Sequence, residues 1–104
     1  MSYELRTYHA APGKINDLLE RFRNHTVALF EEHNIVSVGY WISDLEPNEL
    51  IYVVKHLGSP EANWSAFKAD ERWIAVKSAS EADGTLVSGI DSIYMSATDF
   101  SLEK

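Results

Sequence analysis

Polar and apolar side chains alternate from Tyr3 to Ala10. Tyr3, Leu5, Thr7 and His9 fall on one side of an extended chain, and Glu4, Arg6 and Tyr8 fall on the other. This predicts a first strand, closed by the turn signal Pro12-Gly13. From Lys14 to His33 the period becomes helical. Ile15, Leu18, Phe22, Thr26, Leu29, Phe30 and His33 line one stripe, while Asp17, Glu20, Arg21, Arg23 and Glu31 lie largely outside it. Asn34, which tolerates a left-handed backbone, is the expected end of this helix.

Segments 35–43 and 50–57 are dominated by β-branched and aromatic residues, with Val36, Val38, Tyr40 and Ile42 expected on one face of the first. The polar stretch between them contains Pro47, so the pair reads as an antiparallel hairpin. Ser59, Pro60 and Glu61 mark the start of a second helical region. Its apolar residues do not stay in phase: Trp64, Phe67 and Ile74 fall on one side, Ala66, Trp73 and Val76 on the other. Either the helix breaks at Asp70, which then caps a second short helix, or one helix uses both faces, the second against a partner. Segment 86–98 reads as a strand of thirteen residues. At about 3.3 Å per residue it overruns an ordinary sheet, so it either bends at Gly89 or reaches a second subunit.

The order β-α-β-β-α-β, with two right-handed crossovers around a hairpin, predicts an α+β fold of ferredoxin-like topology. Its sheet has four antiparallel strands and carries both helical regions on one face. The opposite face keeps apolar residues in several strands and needs a cover. The expected cover is a second copy, giving a homodimer whose two sheets close into a barrel.

At 104 residues the chain is the size of one domain. Its net charge of −7 disfavours nucleic acid and anionic membrane surfaces as partners. It has no cysteine, which excludes disulfides, thiol nucleophiles and thiolate metal sites. The charged start, Tyr3-Glu4-Leu5-Arg6, is unlike a signal peptide, and no apolar run approaches the roughly 20 residues of a membrane span. A cytoplasmic protein is expected.

Four segments in order, Tyr3-Glu4-Leu5-Arg6-Thr7-Tyr8, Pro12-Gly13-Lys14, Gly39-Tyr40-Trp41 and Asp70-Glu71-Arg72-Trp73, resemble the NIPSNAP family over about residues 2–100. The resemblance implies the dimeric α+β barrel. It implies no particular reaction, because similar folds serve cofactor-independent monooxygenases, isomerases, haem proteins and proteins without enzymatic activity. Two positions depart from the family pattern: His56 stands where a tyrosine usually closes the third strand, and Asn63-Trp64 where an arginine is usual early in the second helix.

Candidate chemistry is sparse. No G-x-S-x-G motif or phosphate loop occurs, and the histidines (His9, His25, His33 and His56) lack chelating spacing, so neither a metal nor another cofactor is expected. His33, in the last helical turn, suits the carboxyl end of its helix. His25 lies at the edge of the apolar stripe, where an imidazole can exchange a proton with a bound molecule. Tyr40 is expected to face the helices and Trp73 to follow the break. His25, Tyr40 and Trp73 are therefore the candidate lining of one pocket between sheet and helices. Arg6, beside Glu4, is a candidate ligand anchor, or one half of a charge pair that crosses to the partner if that side faces the barrel interior. The readings in play are small-molecule binding, cofactor-independent oxygenation or isomerisation of an aromatic or quinone-like compound, and a protein-interaction module.

Overall fold

The computed structural model describes residues 2–103. It runs β1 (Ser2–Ala10), α1 (Ile15–Arg21), a π-helical turn (Phe22–Thr26), α2 (Val27–Glu32), β2 (Ile35–Ile42), β3 (Glu49–His56), α3 (Pro60–Ala69), α4 (Glu71–Ser80) and β4 (Val87–Met95). The strands form one antiparallel sheet in the order β2-β3-β1-β4, the ferredoxin-like α+β arrangement expected from two crossovers around a hairpin. None of the helices among the described residues is long and apolar enough to cross a membrane.

The expected long first helix is present but carries a wide turn in its middle, where the Thr26 hydroxyl donates to the Arg21 carbonyl (3.3 Å). It stops at Asn34, whose φ of 63° only glycine and asparagine adopt readily. Asn34→Gly should therefore leave stability nearly unchanged, whereas Asn34→Ala should cost about 1–2 kcal/mol, read from urea unfolding midpoints.

β2 pairs regularly with β3 until Ser37, then slips by one residue at Val38. This bulge corrects the expected common face of Val36, Val38, Tyr40 and Ile42. Val36 sits opposite Lys55 on the face away from the helices, whereas Tyr40 turns inward and stacks on Tyr52 at 5.1 Å. Trp41 then turns outward and folds back over Gly39, where a Cβ would come within 2.5 Å of the indole.

The second helical region breaks at Asp70, one of the two expected outcomes. Ser59 caps α3 by accepting from the Ala62 amide (3.2 Å), and Asp70, in extended conformation, caps α4 by accepting from the Arg72 amide (2.8 Å). His33 also reaches this junction, its Nε2 lying 2.8 Å from Asp70 Oδ2. β4 is shorter than expected. It pairs only along β1, bulges at Ser88 next to Gly89, and ends at Met95, opposite Tyr3. Residues 96–103 turn over one end of the sheet, beside Tyr3, Val38 and Val53.

The core lies between the sheet and the helices. Tyr8 and Tyr52 from the sheet interlock with Phe22, Phe30, Trp64 and Phe67, for example Phe22 on Tyr8 at 5.5 Å and Phe30 on Phe67 at 4.9 Å. The opposite face presents Leu5, Val36, Trp41, Ile51, Val53 and Ile93 with no element of the fold laid across its middle; Ile93 is 59% exposed.

Candidate functional site

Alternation along β1 places Glu4, Arg6 and Tyr8 under the helices, so that side does not face a barrel interior and the Glu4–Arg6 charge pair is internal to the subunit. Glu4 is completely buried. Its Oε1 accepts from His56 Nε2 (2.8 Å) and Trp64 Nε1 (2.8 Å), and its Oε2 accepts from Arg6 Nη1 (2.9 Å) and Ser92 Oγ (2.5 Å). Burial pushes the carboxyl up, but the bonds from Ser92, His56, Arg6 and Trp64 outweigh it and hold Glu4 below the ordinary carboxylate value. His56 Nδ1 faces the Asn63 amide nitrogen (3.2 Å), which has no lone pair and also points at the Asn34 and Leu57 carbonyls. Nδ1 is thus the bare nitrogen, and Nε2 carries the hydrogen donated to Glu4. Of the departures from the family pattern, His56 and Trp64 therefore meet at one buried carboxylate, and Asn63 backs His56.

Arg6 lies 4.3 Å over the Trp64 ring. Its Nε donates to the Tyr52 hydroxyl (2.8 Å) and its Nη2 to the Tyr8 hydroxyl (3.3 Å), while Tyr52 donates to Tyr8 (3.1 Å). Burial alone would pull the guanidinium down, but Tyr8, Tyr52 and Glu4 push it above its ordinary value, so it stays charged. Burial pushes the Tyr52 hydroxyl well up. Tyr8 accepts both of its bonds, which leaves its own hydrogen to donate.

Tyr8 also forms the floor of a groove of about 800 Å³ between the β1–β4 side of the sheet and the α3–α4 pair. The groove exists because α4 buries none of its residues: it leans on α1 and α3 without closing onto the sheet. Its walls are Trp64, Phe67, Trp73, Ile74 and Ile90, with Trp73 lying 4.7 Å from Phe67. Its charged lining is Lys68, Lys77, Glu81 and Arg21. A second groove of about 570 Å³, on the other side of α4, is more polar and is lined by Asp17, Glu20, Asn24, His25 and Asp83, with Arg21 shared between the two grooves.

The structure separates the residues expected to share one pocket. Trp73 walls the larger groove. His25 is exposed in the smaller one, facing α4 rather than the sheet core. Tyr40 is packed against Phe22 and Tyr52, its hydroxyl 2.8 Å from Ser37 Oγ, and lines neither groove. Arg6 lies behind the wall formed by Trp64 and Tyr8, holding both rings. Tyr8 and Arg21 were not singled out by sequence reasoning. The aromatic spacing of Tyr8 was visible, whereas Arg21 sits beside the helical stripe and is covered only by α4.

No curated protein matches the chain. Among solved structures it is similar to a NIPSNAP family protein of Agrobacterium tumefaciens, with 21% identity, 99% of this chain and 98% of that one covered, and a TM-score of 0.81. It is also similar to a second NIPSNAP family protein of unknown function from the same organism (25% identity, 98% and 92% covered, TM-score 0.78). A structure described as an antibiotic biosynthesis monooxygenase shares the fold at 14% identity (94% and 99% covered, TM-score 0.64). The NIPSNAP family model matches residues 3–102, and with that span of the chain accounted for, this protein belongs to the NIPSNAP family.

Proposed function

We propose that each subunit binds a small, partly apolar molecule in the groove between the sheet and the α3–α4 pair. The observation that carries this reading is the groove itself. Its volume of about 800 Å³ lies within the usual 300–1,000 Å³ of ligand sites, and its aromatic walls stand beside a few hydroxyls, those of Ser78, Thr85, Ser88 and Tyr8, the last with a hydrogen left to donate. Screening by calorimetry against aromatic and quinone-like compounds should yield saturable binders. Trp73→Ala should weaken them about tenfold or more, because it removes a wall, while His25→Ala, across α4, should leave them unchanged. The reading fails if no compound saturates, or if binding is indifferent to Trp73→Ala.

A second reading, cofactor-independent oxygenation or isomerisation, draws on the Tyr8 hydroxyl and its chain through Tyr52 and Arg6 to Glu4, together with the fold shared with the monooxygenase structure. In this reading Tyr8 takes the proton-handling part that the sequence suggested for His25. Oxygen uptake or rearrangement by a groove ligand, lost in Tyr8→Phe, supports it; inert binding removes it.

The working form in this proposal is a homodimer. The face carrying Leu5, Val36, Trp41, Ile51, Val53 and Ile93 is broad, apolar and uncovered within the subunit, which favours a second copy as its cover.

A further inference from the structure

Arg21 is the least satisfied cation of the protein's interior. It is only 5% exposed, yet the one hydrogen bond of its side chain among the described residues runs from Nη1 to Ser80 Oγ (3.1 Å). Its Nε is buried without any partner. Glu81 stands 3.8 Å from Nη1, beyond hydrogen-bonding distance, and its carboxylate is also engaged by Lys77 (3.2 Å) and faces the Leu86 amide (3.5 Å). The guanidinium carbon lies 5.0 Å from the centre of the Trp73 ring, and Arg21 borders both the larger groove and the smaller, acid-lined one, of which the larger has the aromatic walls.

The unpaired part of Arg21 has a definite shape. With Nη1 held by Ser80, the edge left over is the one formed by Nε and Nη2, whose two N–H bonds point the same way and match the two oxygens of a carboxylate. The surroundings favour an anion there. Among the described residues Arg21, Lys68 and Lys77 face the groove against the single carboxylate of Glu81, in a chain whose net charge is −7. The burial that pulls the Arg21 guanidinium down in pKa is relieved when an anion joins it. The remaining walls are aromatic and aliphatic, and accept a flat apolar body.

We infer that the groove takes an aromatic or similarly flat carboxylic acid, with Arg21 binding the carboxylate through its Nε–Nη2 edge while Trp73, Phe67 and Trp64 enclose the ring. This rests on the ligand-groove reading above and names the chemical class of the ligand. Tyr8, at the floor, offers its hydroxyl to a second polar group on the same molecule.

The test uses matched pairs of arenecarboxylates and their neutral amides, from benzoate and benzamide to 2-naphthoate and 2-naphthamide, titrated into the intact protein by calorimetry. The acids are expected to bind about tenfold more tightly than the amides. Arg21→Gln should abolish that preference while leaving amide binding in place, and Arg21→Lys should restore part of it. Circular dichroism of both variants accompanies the titrations, and the wild-type acid-to-amide ratio needs no variant at all. Equal binding of acids and amides overturns the role of Arg21 but leaves the ligand groove standing. A preference that survives Arg21→Gln assigns the anion to Lys68 or Lys77 and overturns it too. Binding of neither series by the wild-type protein overturns the groove reading and this one together.

Discussion

Glu4→Ala is expected to lower the unfolding free energy by about 3–5 kcal/mol, the usual result of removing one partner from a buried charge pair. The loss has two parts. Arg6 keeps its charge under Trp64 with no carboxylate beside it, and the hydrogens of His56 Nε2 and Trp64 Nε1 lose their acceptor in a site from which water is excluded. Glu4→Gln keeps the volume and one acceptor oxygen and should recover a minor fraction of the loss. The dependence on acidity has a determined sign. The folded-state pKa of Glu4 is lowered from its ordinary 4.5, so its contribution is complete above about pH 4.5 and is lost as the pH falls through the lower folded value. Urea midpoints of wild type and Glu4→Gln, measured from neutral pH into acid, should therefore converge as the pH drops. A gap independent of pH would mean that the ionised carboxylate is not what the network stabilises.

Ile93→Asp is expected to convert a two-chain species into a lone chain. Ile93 lies opposite Leu5 on the uncovered face, so in a single subunit the new carboxylate stays in water and the fold is little affected. Between two packed sheets the same carboxylate is buried without a partner, once for each copy, and each burial costs several kcal/mol. The dimer should loosen by about a hundredfold or more, since about 1.4 kcal/mol corresponds to each factor of ten. Sedimentation equilibrium at micromolar concentration reads the result, with urea unfolding to establish that the variant is folded. Gly39→Ala offers a milder probe: its methyl displaces the Trp41 indole, which a free surface tolerates and a packed interface does not. A wild-type chain that sediments alone at these concentrations would remove the proposed dimer while leaving the groove of the subunit intact.

Local signals in the chain mark most of the fold. The alternation in Tyr3–Ala10 sorts Glu4, Arg6 and Tyr8 from Leu5, Thr7 and His9, and that sorting survives because a pleated strand with one packed face has no other register. Asn34, Ser59 and Asp70 mark helix boundaries because each meets a backbone requirement within a few residues of itself. Misplaced features are those set by pairing. The slip at Val38 depends on how β2 meets β3, and the bulge at Ser88 depends on how β4 meets β1, neither of which is written in the segment concerned.

The candidate site divides along the same line. Trp73 could be placed from the break at Asp70, and the two departures from the family pattern were visible as letters. That His56 and Trp64 converge on Glu4, with Asn63 behind His56, follows only from folding β3 and α3 against β1. Likewise Arg21 reads as a surface residue, because its helix alone leaves it beside the apolar stripe; α4, fifty residues later in the chain, covers it. The sequence by itself determined the order of elements, the helix ends and the division of the unbroken first strand into two faces, since these are decided by period and by chemistry a few residues apart. Only the tertiary structure decided which polar groups lose their water, which find a partner and which, like the Nε of Arg21, are buried without one, because desolvation is imposed by segments remote in the chain.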